Sequence, residues 1–434
     1  MRTTRLRATV ALLGAVFAAT ATVAAVPAGA HTLAKQPTPT TTTVLGDNPA
    51  VGAFYQPPNP LPKAKPGTII RSEALTNAPA GSRGWRILYH STGLHGEDIA
   101  VSGMVFAPAA DTPVPPTSTP ATPASTKATS GRPIVAWAHP TTGVADQCAP
   151  SVLPDGPTLI AGLQSFLAAG FVVAATDYQG LGTPGVHPYL VGISEGRGTL
   201  DAARAARNLK ATGAGRQVFT WGHSQGGQGA LFAGQLAPTY APDLQLMGAS
   251  AAAPAGELAK VFHLDENSVD GIALGGWAMN AYYQVYKGQY PKMSIDQMIT
   301  ATGKAALPQL IPLCDAVPAD ETQIVSIATP LIGSFYATTD PGSVPPWGNL
   351  LASNRPGATK TKAPVFVAQD TADEVVPAVT TDQLVQDLCT KGDTVDYVQF
   401  PGLSHTVIGY ASAPDALAWM QAILAGKPAT NTCS

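Results

Sequence analysis

The period of the apolar positions changes twice along the chain. Across residues 67–107 apolar and polar residues alternate, which is the two-residue repeat of half-buried strands. Stretches 69–72, 85–89 and 99–105 are the expected strands of an antiparallel meander there. From residue 133 the alternation gives way to unbroken apolar runs, as in strands covered on both faces. Runs 133–138, 171–176, 218–221 and 244–249 are separated by helical stretches 158–169, 195–211 and 225–236. Residues 256–362 interrupt this rhythm with helix-like stretches such as 272–286 and 293–307. It then resumes with strands 364–368 and 395–400 and helices 378–389 and 413–425. Strands alternating with helices imply right-handed crossovers. The expected fold is α/β: a mostly parallel central sheet, an N-terminal antiparallel meander and an inserted helical cap. The core would comprise 47–255 and 363–434, with the cap at 256–362.

Other segments carry no core pattern. Arg2, Arg5 and Arg7 precede an uncharged Ala/Val/Leu-rich run, and Ala28-Gly29-Ala30 supplies a small-residue cleavage site. Residues 1–30 therefore read as a secretory signal, cut after Ala30, and the expected location is extracellular. Residues 31–46 form a Thr/Pro-rich lead-in, and 108–131 a Pro/Thr/Ser-rich loop too proline-broken to pack. Removing the leader leaves 22 basic against 28 acidic residues, a balance of −6, which argues against a nucleic-acid partner. Four cysteines, Cys148, Cys314, Cys389 and Cys433, contain no C-x-x-C pair, so no zinc site is expected. An even count in an exported chain suggests two disulfides, with three pairings open.

The strongest chemical signal is Gly222-His223-Ser224-Gln225-Gly226. It joins the strand ending at Trp221 to a small-residue helical stretch, the context in which Gly-x-Ser-x-Gly presents a nucleophile. A serine hydroxyl needs a base to take its proton, usually a histidine oriented by a carboxylate. On sheets carrying such an elbow the chain order is serine, acid, histidine. Only His263 and His405 follow Ser224, and His263 lies in the cap. His405 lies in a loop beyond the C-terminal end of strand 395–400, where open α/β sheets gather their chemistry. The turn after strand 364–368 offers Asp370, Asp373 and Glu374, and spacing does not choose among them. The oxyanion would be bound by the Gln225 N–H and by a donor after strand 133–138, Thr141 or Thr142. Pro140, in the same loop, has no N–H to give.

Four separated strings resemble the secretory lipase family, which includes actinobacterial secreted lipases and fungal lipases of the A type. They are Trp137-Ala138-His139-Pro140-Thr141-Thr142-Gly143-Val144-Ala145-Asp146-Gln147-Cys148-Ala149-Pro150-Ser151, Asp177-Tyr178-Gln179-Gly180-Leu181-Gly182-Thr183-Pro184-Gly185, His187-Pro188-Tyr189-Leu190-Val191-Gly192 and Thr371-Ala372-Asp373-Glu374-Val375-Val376-Pro377. The resemblance implies an α/β-hydrolase cleaving carboxylic esters, triacylglycerols included, with no metal and no cofactor. It implies Asp373 as the acid, Thr142 as the second oxyanion donor, and disulfides Cys148–Cys314 and Cys389–Cys433. The expected partners are an ester or lipid substrate and, transiently, a lipid interface, with a monomer assumed.

Three other functions share parts of this pattern. A serine peptidase or an acyltransferase of the same fold would use the same three side chains. A non-catalytic surface protein would keep the fold alone. Cap residues Ile272, Trp277, Tyr282, Tyr283, Leu307, Leu310 and Ile311 could line an acyl channel, although apolar residues of this kind are more often simply core.

Overall fold

The computed structural model describes residues 51–115 and 131–433. The expected leader, the lead-in and most of the Pro/Thr/Ser-rich loop lie outside the described residues. The meander is formed by β1 (Ile69–Leu75), β2 (Ser82–Thr92) and β3 (Asp98–Pro108), paired antiparallel in sequence order. The remaining strands are β4 (Arg132–Ala138), β5 (Val172–Thr176), β6 (Ala214–His223), β7 (Gln245–Ala252), β8 (Val365–Asp370) and β9 (Val395–Phe400). All nine join one sheet in the order β1-β2-β3-β5-β4-β6-β7-β8-β9. β3 meets β5 antiparallel, and every pairing from β5 to β9 is parallel. This is the α/β-hydrolase arrangement.

Both faces of the central strands are covered, which is why they read as continuous apolar runs. Residues two apart share a face. Ile134 and Ala136 of β4 face helices α2 (Gly192–Asn208) and α3 (Gln225–Tyr240), where Leu200, Ala203 and Ala233 complete the layer. Val135 and Trp137 face the opposite way, among Phe166 of α1 (Leu163–Ala168), Phe219, Trp221 and Trp419 of α10 (His405–Leu424). Each fully buried large aliphatic side chain or phenylalanine in these layers contributes roughly 1.5–3 kcal/mol by leaving water.

Between β7 and β8 lie helices α4 (Leu258–Asp265), α5 (Val269–Tyr286), α6 (Ala301–Leu310), α7 (Pro318–Ala328) and α8 (Trp347–Ser353). They pack around Trp277, Tyr282, Met298, Phe335 and Trp347, with Tyr189 and Leu190 joining from below. The last crossover helix, α9 (Ala378–Thr390), links β8 to β9. No helix among the described residues is long and apolar enough to cross a membrane.

The helix boundaries differ most from expectation in three places. The helix expected over 158–169 is a 3₁₀ turn at Gly156–Leu159 followed by α1. Gly162 separates them in the left-handed region (φ 85°), where a Cβ would come within 2.9 Å of Ala413. The stretch 293–307 divides similarly: Ser294 caps a 3₁₀ turn, and Thr300 then caps α6 through the Gly303 N–H. The last helix begins at His405 rather than 413. Pro414 resembles a first-turn proline, yet it lies inside α10 and simply forgoes one backbone hydrogen bond.

Both disulfides form, Cys148–Cys314 and Cys389–Cys433. The first closes a separation of 166 residues and ties the loop after β4 to the cap. The chain-entropy relation gives about 5 kcal/mol for a loop of that length. Reduction under non-denaturing conditions is therefore expected to lower the thermal midpoint by roughly five degrees or more. Scanning calorimetry with and without a phosphine reductant checks this, and an unchanged midpoint with both bonds demonstrably open would contradict it.

Candidate active site

The sheet reverses its strand order at β4, with β5 on one side and β6 on the other, and ligands of open α/β sheets gather beyond such a switch point. Two loops meet there: the elbow after β6 and the segment following β4. At the elbow Ser224 adopts φ 57° and ψ −120°, a strained conformation for a residue with a Cβ. Its backbone is pinned on both sides. The Ser224 N–H donates to the Ala252 carbonyl at 3.0 Å, and its own carbonyl accepts from the N–H groups of Gln228 and Ala255 at 3.1 Å.

Glycine is obligatory beside it. A Cβ at Gly222 would collide with the Gly226 carbonyl, and one at Gly226 with the Ala138 carbonyl. Both obstacles are backbone, so no rotamer change relieves them. Gly226→Ala is expected to lower ester turnover by at least about a hundredfold or to prevent accumulation of soluble protein. Gly288→Ala, where nothing lies within 4 Å of the added methyl, should stay within about twofold of wild type. Expression yield and steady-state rates compare the two.

Three distant side chains come together at this rim. His405 Nε2 lies 2.9 Å from Ser224 Oγ. His405 Nδ1 lies 2.8 Å from Asp373 Oδ2 and 3.0 Å from Oδ1. Asp373 Oδ1 also accepts the N–H groups of Val375 and Val376, at 3.0 and 2.8 Å, and Oδ2 accepts from Gln369 Nε2 at 3.1 Å. Burial alone would raise the Asp373 carboxyl. The His405 hydrogen bond and charge, with the two backbone donors, outweigh it and hold the group below the ordinary aspartate value. An ionised Asp373 accepts Nδ1–H, which leaves Nε2 bare to accept the serine proton. Asp370 makes no contact of this kind: its Oδ1 accepts the Ala372 N–H and closes the turn.

His405 is the first residue of α10, directly after the Ser404 cap, not part of an irregular loop. Gln225 is the first residue of α3, so its N–H has no acceptor within the helix and sits at the positive end of the helix dipole. Thr142 is fully buried and its hydroxyl has no partner, whereas Thr141 Oγ1 is taken up by Tyr189 Oη at 2.7 Å. Gly143 (φ 122°) lets this loop pass the disulfide, since a Cβ there would lie 2.6 Å from Cys148 Sγ. Among the described residues no cluster of His, Cys, Asp and Glu could hold a metal ion.

The space beside Ser224 is only about 30 Å³, little more than a water or two occupies. Leu258, Val261 and Phe262 of α4 and Leu274 of α5 line it, with Leu190 and Val376 from the core. The cap residues that could line an acyl channel lie elsewhere. Ile272, Trp277, Tyr282, Leu307 and Leu310 are buried in the cap's own core, with Tyr283 and Ile311 packed against it. A helix that is apolar nearly all round gives no sign of which face meets the site.

Two groups of residues at the site carried no clear signal in the sequence. The His223 ring lies 4.8 Å from that of His405, and burial pushes it down to about 3, so it is neutral. Asp265 of α4 lines the pocket, and burial pushes it up to about 7; Asp315, also in the cap, is pushed up to about 6. His223 lies in the pentapeptide and could have been flagged there. Nothing in the cap's sequence marks the two aspartates.

Residues 158–432 match the family described as secretory lipase. The chain belongs to that family. It is thereby a carboxylic-ester hydrolase by family, of a group whose members are secreted. It is 24% identical over 403 residues to the Mycobacterium tuberculosis protein named "Probable inactive lipase", covering 88% of this chain and 84% of that protein. It is 25% identical over 427 residues to Lipase 6 of Candida albicans, covering 89% and 84%. Its fold is similar to that of Candida antarctica lipase A in its closed state: TM-score 0.67, 21% identity, 90% of this chain and 91% of that one.

Proposed function

We propose that this secretory lipase family member hydrolyses lipid esters through an acyl-enzyme on Ser224. The observation that carries the reading is the unbroken chain from Ser224 Oγ to His405 Nε2 at 2.9 Å and from His405 Nδ1 to Asp373 at 2.8 Å. Ser224 Oγ attacks the ester carbonyl while His405 Nε2 takes its proton. Asp373 stabilises the resulting imidazolium. The carbonyl oxygen becomes an oxyanion held by the Gln225 N–H and by Thr142, through its N–H and its otherwise unpaired hydroxyl. His405 then protonates the departing alcohol. Water, deprotonated by the same imidazole, releases the acid and restores Ser224.

The apolar lining of the pocket favours an aliphatic acyl chain. Its small volume requires α4 and α5 to shift before an ester enters, so the segment 256–362 acts as a lid as well as a wall. Residues 1–30 direct export and are removed after Ala30.

A fluorophosphonate probe and a p-nitrophenyl ester series from acetate to long acyl chains test the proposal. The expected result is a single label on Ser224, located by mass spectrometry, with release of free acid. One relative carries an inactive name, so absence of both label and turnover would leave the non-catalytic reading standing. Transfer of the acyl group to an added alcohol in preference to water would favour an acyltransferase. Faster cleavage of a peptide anilide than of the esters would favour a peptidase.

A further inference from the structure

Beneath the elbow lies a buried carboxyl that the reaction above does not use. Glu195, in the first turn of α2, is completely buried. Its Oε1 accepts two hydrogen bonds, from Gln225 Nε2 at 2.9 Å and from the Leu190 N–H at 3.0 Å. Its Oε2 has no partner. The second amide hydrogen of Gln225 points to His187 Nε2, 3.2 Å away. His187 Nδ1 lies 2.8 Å from the Gln179 carbonyl and donates to it, which leaves Nε2 free to accept. Burial pushes His187 down to about 3, so it is neutral and keeps that tautomer. The Gln225 side chain is thus clamped from two sides.

Both residues bonded to Glu195 Oε1 border the reacting serine. Gln225 and Leu190 line the small pocket together with Ser224. Leu190 is held at φ 58°, a region a leucine rarely enters. Besides its N–H bond to Glu195, its carbonyl accepts from Tyr282 Oη at 2.8 Å and from Gln228 Nε2 at 3.3 Å. A strained residue persists only where its surroundings over-determine it, and here a carboxyl oxygen, an amide and a phenol do so.

We propose that Glu195 is a positioning residue for the reaction at Ser224, fixing the Gln225 peptide and the Leu190 pocket wall through one shared carboxyl oxygen. The assignment rests on the reading of Gln225 N–H as an oxyanion donor. Such a donor works only if it already points at the place where charge will develop. The Gln225 side chain is the lever that holds that peptide, and Glu195 and His187 are its fixed points. Burial pushes the Glu195 carboxyl up to about 8, so at neutral pH it is mostly a neutral acid. A glutamine at 195 reproduces its shape and its accepting oxygen, and an alanine removes the acceptor.

The test compares wild type with Glu195→Gln, Glu195→Ala, Gln225→Ala and the Glu195→Ala/Gln225→Ala double variant at pH 7. Fluorophosphonate labelling comes first. Then kcat and KM are measured on p-nitrophenyl butyrate, with the affinity for a trifluoromethyl ketone, whose serine hemiketal carries an oxyanion. Glu195→Gln is expected within about threefold of wild type in kcat. Glu195→Ala should lose roughly ten- to a hundredfold in kcat, a part of the loss seen when such a donor is removed outright. Its ketone affinity should fall by a similar factor with KM little changed. Because both residues act through one lever, the double variant should lose no more than the worse single variant. A folded Glu195→Ala protein with wild-type kcat and ketone affinity overturns the assignment alone. Should that variant not fold, Gln225→Ala decides, since it breaks the clamp and leaves Glu195 bonded to Leu190; wild-type kcat there overturns it equally. An unlabelled Ser224 in wild type overturns the reading of the site, and this assignment with it.

Discussion

Ser224→Ala is expected to lower ester turnover on the order of 10⁶-fold while leaving the fold intact. The substitution keeps the Cβ, so the strained backbone at φ 57° is neither relieved nor worsened. The three backbone bonds that pin residue 224, to Ala252, Gln228 and Ala255, do not involve the hydroxyl. What is lost is the Oγ and its bond to His405 Nε2, and one such bond contributes about 1 kcal/mol to stability. The thermal midpoint should therefore move by no more than a few degrees. A residual rate on the order of 10³–10⁴ over water is still expected, because the oxyanion donors and the pocket remain. Progress curves at high enzyme concentration, with circular dichroism on the same sample, check both parts. Turnover within tenfold of wild type would remove Ser224 from the reaction.

Asp373→Asn should cost on the order of 10⁴ in kcat, and the hydrogen bonds around residue 373 say why. Oδ1 receives the N–H groups of Val375 and Val376, so an asparagine must place its oxygen there. Its amide nitrogen then occupies the position of Oδ2, facing His405 Nδ1 and Gln369 Nε2. Two donors confront it. At its 2.8 Å contact Nδ1 now faces a donor instead of an acceptor, which favours the ring proton on Nε2 and turns the wrong tautomer towards the serine. The loss should appear in kcat and kcat/KM alike, with fluorophosphonate labelling slowed in parallel. A variant that labels at the wild-type rate would mean that the carboxylate does not orient the base.

How much of this was readable beforehand follows from burial. β4, β5 and β8 are covered on both faces, and that is what makes an unbroken apolar run. Ser224 was legible because the glycines flanking it have backbone where a Cβ would go. The choice between Asp370 and Asp373 was not, since both stand in one turn. It depends on how that turn folds back, with Asp370 spent on the Ala372 N–H and Asp373 left to meet the imidazole. Pro414 hid the start of α10 and thereby made His405 look like a loop residue. In the cap, the apolar residues of α5 gave no direction, so core and lining could not be told apart. Glu195 and His187 were invisible as a clamp, because their partner Gln225 is near them only after α2 and α3 have packed.

The final helix has a consequence for timing. His405 opens α10, and Cys433, which closes the bridge to Cys389, lies beyond that helix's end. On the proposed reading, a growing chain therefore carries its nucleophile 181 residues before its base and gains ester chemistry only when its last helix has been made and packed.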